Sequence, residues 1–154
     1  MNKKNVRATR SLFEYRDDRA RDLHEVFKRE FGAVPGEDIK SLMRRVVNSP
    51  SRRFWVSEEC AFRTVSSMLH SGMHSRCSSI KREMFEEISR RCRQLLDTHP
   101  DWPLSRCVYY VVNRSAPKFY LSAKRAYSII LRERERCERE KIQTLLRFRR
   151  SLSA

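Results

Sequence analysis

Val46-Val47-Asn48-Ser49-Pro50-Ser51-Arg52-Arg53-Phe54-Trp55-Val56-Ser57 decides the reading of this chain, because its pattern returns as Val111-Val112-Asn113-Arg114-Ser115-Ala116-Pro117-Lys118-Phe119-Tyr120-Leu121-Ser122. The shift is 65 positions without a gap (46 to 111), and it continues downstream, where Ala61-Phe62 recurs as Ala126-Tyr127 and Val65 as Ile130. Comparing 46–65 with 111–130, six residues are identical (Val, Val, Asn, Phe, Ser, Ala), where unrelated sequence gives about one. Upstream the same shift pairs Leu23 with Ile88, Phe31 with Leu96, Pro35 with Pro100, Ile39 with Leu104 and Met43 with Val108. Core positions and punctuation repeat together, so the expectation is an all-α fold built by tandem duplication of a three-helix unit.

Each unit opens with a helical pattern: Leu23, Val26, Phe27 and Phe31 in the first, Met84, Phe85, Ile88, Cys92, Leu95 and Leu96 in the second. Gly32 supplies a stop, and Pro35 and Pro100 mark the turn. A second helix carries Ile39, Leu42, Met43, Val46 and Val47, matched by Leu104, Cys107, Val108, Val111 and Val112. Asn48 and Asn113 are placed to end it, since Asn tolerates the left-handed conformation. A proline-containing connector blocks continuation. Phe54-Trp55-Val56 and Phe119-Tyr120-Leu121 are too short for a sheet and read as extended plugs in the core. Ser57 and Ser122 then suit the N-cap of a third helix, where a serine oxygen accepts an unpaired backbone N–H.

The expected organisation is therefore a basic arm over 1–18, a trihelical repeat over 19–69, a polar linker over 70–83, a second trihelical repeat over 84–131 and a helical extension over 132–154. The extension alternates charge, with Glu135 and Arg139 as well as Arg136 and Glu140 at i,i+4, before Ile142, Leu145, Leu146 and Phe148 restore an apolar stripe. That stripe is expected to dock on the chain's own first repeat, or else on a second chain. At about 50 residues, each unit is near the lower limit for a self-sufficient core.

Charge narrows the partner. Among 154 residues, 34 Lys and Arg stand against 19 Asp and Glu, for a net charge of +15, which attracts polyanions whatever the fold. Nucleic acid is the leading class, ahead of an acidic protein or an anionic membrane. No stretch approaches a membrane span and no apolar leader follows Met1, so the expected location is cytoplasmic. Five cysteines without a C-x-x-C pair argue against a disulfide framework or zinc ribbon and point to reduced, mostly buried thiols.

Within that frame, the start of the second unit's third helix is the better candidate for nucleic acid. Lys118 precedes it and Lys124, Arg125 and Arg132 decorate it, beside a helix N-terminus that itself attracts phosphate. In the first unit the equivalent start is Glu58-Glu59, leaving Arg52, Arg53 and Arg63 as its cations. Any one of these taken singly reads as a solvated helix face; the cluster together with the net charge favours binding. Trp55 and Tyr120 could stack on bases, but their recurrence in an apolar run favours core packing.

His70, His74 and Cys77, with Cys92 as a conceivable fourth ligand, have metal-compatible spacing, yet the second unit lacks a counterpart, so neither metal nor cofactor is expected. With three glycines and no G-x-S-x-G or H-E-x-x-H motif, catalysis is not expected either.

The architecture resembles tandem trihelical modules of the Myb, homeodomain or helix-turn-helix kind, in which the last helix enters the major groove. The Myb tryptophan triad is missing, and the connector is longer than a strict helix-turn-helix turn. The string N-x-x-A-P-K-F-Y-L-S at Asn113 to Ser122 is also similar to a motif of small uncharacterised basic proteins of Bacteroidetes, a resemblance that implies no activity. The resulting expectation is a non-enzymatic protein, monomeric or dimeric through its C-terminal helix, that binds double-stranded DNA. The alternatives are an adaptor for an acidic protein partner and an RNA-binding protein.

Overall fold

A computed structural model describes the backbone of residues 3–72 and 78–154, and the side chains of that set from Tyr15 onward. Six helices make up the regular structure of the described residues: α1 (Lys3–Glu30), α2 (Ile39–Val47), α3 (Glu58–Ser71), α4 (Ser79–Thr98), α5 (Leu104–Val112) and α6 (Ala123–Leu152). The fold is all-α, and none of these helices is long and apolar enough to cross a membrane.

Local chemistry explains the helix ends. Ser57 Oγ accepts from the Cys60 N–H at 3.2 Å and Ser122 Oγ from the Arg125 N–H at 3.1 Å, so both serines cap as expected. Asp38 caps α2 in the same way through the Ser41 N–H, and Gly72 ends α3 in the left-handed region at φ 64°. The asparagines differ from expectation in detail. Asn48 and Asn113 are the C-caps of α2 and α5, but at φ −90° and −86° with ψ near zero, which is the bridge region and not the left-handed one.

Packing departs from two self-contained units. α1 and α2 pack with α6, whereas α3 packs with α4 and α5; among the described residues α3 does not contact α1 or α2. One core gathers Leu23, Val26 and Phe27 of α1, Leu42, Met43, Val46 and Val47 of α2, and Phe119, Ala126, Ile129 and Ile130. The other joins Phe54, Val56, Ala61 and Val65 to the apolar faces of α4 and α5. Each third helix therefore completes the core of the opposite half.

The crossing is held by the connectors. Ser51 and Ala116, which are 65 positions apart, form a reciprocal antiparallel bridge in which each N–H donates to the other's carbonyl at 3.0 Å. Next to it, the Phe54 N–H donates to Val112 O at 3.1 Å and the Phe119 N–H to Val47 O at 2.9 Å. Val47 and Val112 are the last residues of α2 and α5, whose final carbonyls lack intrahelical donors. Each connector thus satisfies the end of the other half's second helix. Extended backbone alternates its side chains, so Phe54 and Val56 enter the far core while Trp55 packs against the near one.

Several boundaries and contacts change accordingly. The basic arm is the first part of α1, and the extension after 131 is the same continuous helix as the start of α6. The linker shortens, since α3 reaches Ser71 and α4 starts at Ser79. Phe31 and Ile39, expected in the core, are 66% and 45% exposed, because α1 ends at Glu30 and Ile39 is the first residue of α2. The C-terminal stripe does not dock: from Glu138 to Ala154 every residue is exposed, including Ile142, Leu145, Leu146 and Phe148.

Candidate nucleic-acid interface

The start of α6 is basic. No acidic residue lies in its first turn, whereas α3 begins with Glu58 and Glu59. Unpaired N–H groups at a helix start carry partial positive charge, and here Lys124 and Arg125 add to it from exposed positions. Arg132 lies seven residues beyond Arg125, two turns along the same face.

The seven cations singled out by sequence fall into two groups. Lys118 pairs with Glu83 and lies 5.5 Å from the centre of the Tyr120 ring. Arg52 pairs with Glu25 and lies 3.8 Å from Asp22, whose carboxylate also accepts the Arg52 backbone N–H at 3.0 Å. Arg53 is turned inward, donating to the carbonyls of Phe54 and Val56 at 3.1 Å and lying over the rings of Tyr15 and Trp55. Arg63 lies 3.9 Å from Glu59. Lys124, Arg125 and Arg132 have no carboxylate partner among the described residues.

α1 adds two cations that sequence alone did not single out. Arg16 is exposed and Arg19 half-buried, one turn apart, and neither has a carboxylate partner among the described residues. Burial pulls the Arg19 guanidinium below its ordinary range, and the charges of Arg125 and Arg16 push it the same way. A cation so placed gains most from an anion brought close. Arg19 Nε and the Tyr15 hydroxyl are buried without a hydrogen-bond partner among the described residues, and burial pushes the Tyr15 hydroxyl above its usual range. The Tyr15 and Trp55 rings meet edge to face at 5.4 Å. The only signal for Arg16 and Arg19 in the sequence was their spacing of three, which cannot show that α6 would come to lie against α1.

The connector aromatics Phe54, Phe119 and Tyr120 pack inward. Phe54 and Phe119 are 0% and 3% exposed, and Tyr120 stacks on Phe54 at 6.0 Å, which leaves neither ring face of Phe54 to a base. Tyr120 holds φ at 55°, a conformation that costs a non-glycine residue about 1–3 kcal/mol and that its buried ring and neighbours sustain.

Of the metal-spaced residues, His70 Nδ1 lies 2.7 Å from Ser66 O, while His74 and Cys77 fall outside the described residues. Cys92 is buried in a core, which pushes its thiol up to about 12. No family model, curated protein or solved structure matches the chain.

Proposed function

We propose that this protein binds double-stranded DNA through backbone contacts, in a regulatory or architectural role, with Lys124, Arg125 and Arg132 of α6 joined by Arg16 and Arg19 of α1. The observation that carries the reading is that cations on two helices packed side by side lack partners together. In the described residues these five cations have no carboxylate beside them, while Lys118, Arg52 and Arg63 do. Releasing condensed counterions from DNA rewards free cations, since a paired one must first give up its carboxylate. We further infer that the chain arose by duplication and that its two halves have exchanged third helices; the bridge between Ser51 and Ala116 and the matched bonds at Phe54 and Phe119 support this. Divergence then made one third helix basic at its start and the other acidic. We place the protein in the cytoplasm.

The test is a salt titration of duplex binding. Replacing Lys124, Arg125, Arg132, Arg16 and Arg19 by Ala is expected to weaken binding strongly and to reduce the slope of log affinity against log salt by about 0.9 per lost contact. The triple variant at Arg52, Arg53 and Arg63, checked for a native helical spectrum, is expected to lose less. An unaltered slope in the first variant overturns the assignment. Structured RNA and single strands in the same series separate the nucleic-acid classes.

An adaptor role is favoured by a different observation, the fully exposed apolar stripe at the end of α6. Absence of salt-sensitive nucleic-acid binding by the intact protein would put that reading first.

A further inference from the structure

α1 and α6 run side by side in the same direction. The charge of Arg125 acts on Arg19, His24 meets Glu133 and Cys137, and Phe31 shares a cavity with Glu138 and Lys141, so residue numbers rise together along both helices. Midway along this contact is a mixed nitrogen, oxygen and sulfur donor set. Glu133 and Cys137 are four residues apart and share one face of α6, and His24 reaches them from α1. One ligand atom from each residue lies within 4.8 Å of the other two, and Cys137 Sγ is 3.8 Å from Glu133 Oε1.

We propose that His24, Glu133 and Cys137 bind a divalent ion of the zinc class across the α1–α6 contact, with a water molecule in the fourth position. Three protein ligands plus an open position is a recognised zinc arrangement, and facing helices are a common scaffold for such sites. The sulfur and imidazole donors exclude magnesium and calcium, which take oxygen ligands. His24 and Cys137 line a cavity of about 460 Å³ together with Phe27, Lys28, Phe31, Arg134, Glu138 and Lys141, which leaves room for that water.

Glu133 is the pivotal ligand. It is 5% exposed, and both its carboxylate oxygens accept from Arg136, Oε2 from Nε at 3.0 Å and Oε1 from Nη2 at 2.5 Å. Arg136 also holds Glu140 at 2.6 Å, so one Glu133 oxygen can turn to a metal without stranding the arginine. Binding converts the Cys137 thiol to a thiolate and releases its proton to solvent, and the two anionic ligands then balance the ion's charge. Lys28, Arg134 and Lys141 on the cavity rim oppose a cation, and this neutralisation offsets part of their effect.

The full-length reduced protein, titrated with cobalt(II), provides the test. One equivalent is expected to give intense tetrahedral bands in the visible and a sulfur-to-cobalt charge-transfer band in the near ultraviolet, both removed by zinc. Cys137→Ser is expected to lose the charge-transfer band, and His24→Gln to weaken affinity by more than about tenfold, at least the effect of disturbing a supporting residue. Zinc is expected to raise the thermal midpoint of the parent protein and to leave that of Cys137→Ser unchanged; each variant is compared with itself, with and without metal, so its own stability does not enter. Failure to bind cobalt overturns the proposal. So does a spectrum that survives both substitutions, which would place the ion elsewhere, such as at His70, His74 and Cys77.

Discussion

Phe54 and Phe119 show how single residues join the two halves. Each sits at the same point of its connector, each donates its backbone N–H to the last carbonyl of the other half's second helix, and each is buried in the other half's core. Truncating a buried phenylalanine removes its transfer free energy and leaves a cavity, so Phe119→Ala and Phe54→Ala should each destabilise by about 3–5 kcal/mol, measured by chemical denaturation. An unchanged midpoint for either would mean that its ring is dispensable to packing. Glu87 allows a second prediction at this scale. It accepts from Arg90 at 2.6 Å and from Arg91 at 2.8 Å, and Arg91 in turn donates to Ser115 O at 2.9 Å. These bonds hold the Glu87 carboxyl below the usual carboxylate range. A carboxylate with a folded-state pKa below its unfolded value contributes stability above the unfolded value, near 4.3, and loses it as pH falls through the folded one. Glu87→Gln should therefore cost about 1 kcal/mol at pH 7, because the partly exposed pair is screened, and the difference from the parent should shrink as the pH falls below the unfolded value and through the folded one. A constant difference across that range would show that the charge is irrelevant.

At the scale of elements, the most telling helix is α6. Its first half is a core element, with Ala126, Ile129, Ile130 and Glu133 buried, and its second half leaves the body. The residues from Ile142 to Leu152 extend about 16 Å as helix, with Leu145, Phe148 and Leu152 on one side and 67%, 62% and 71% exposed. The pattern was legible in the sequence, but docking on the chain's own first repeat was not the outcome. α1 ends at Glu30, so nothing in the described residues is left for the stripe to lie against. Truncation after Lys141 should accordingly leave the unfolding free energy within about 0.5 kcal/mol of the parent, as for a surface change. A large loss of stability would mean that the tail folds back onto the body.

The same scale shows what sequence could and could not give. The helices, their serine caps and the core faces followed from periodicity and from the repeat. The pairing of helices did not, and the reason is physical: when two segments carry the same apolar pattern, either third helix fits either core, so the pattern is equally satisfied by local packing and by exchange. The cationic site was legible as charge alone. Which cations remain free depends on ion pairs such as Arg52 with Glu25, separated by 27 residues, and Lys118 with Glu83, and those follow only from the tertiary arrangement.

For the whole molecule, the packing of α3 on α4 and α5 and of α6 on α1 and α2 makes the two halves interdependent. A cut between Gly72 and Ser78 falls between the described ends of α3 and α4, and each fragment would retain contacts that belong to the other's core. Proteolytic nicking there should leave a non-covalent pair that elutes with the intact protein in gel filtration, whereas two independent domains would separate. Residues 1–72 made alone should associate with themselves, since the Ser51 bridge partner, Ala116, stands at the equivalent place in the second half; a stable monomer of that fragment would count against the exchanged reading.

The exchange also bears on biosynthesis. Multidomain chains often fold vectorially, an early domain closing while the ribosome is still making the next. That order is denied to this chain, because the core begun by α1 and α2 is completed only by Phe119, Ala126, Ile129 and Ile130. α1 and α2 leave the exit tunnel with their apolar faces open and wait for α6 to be translated.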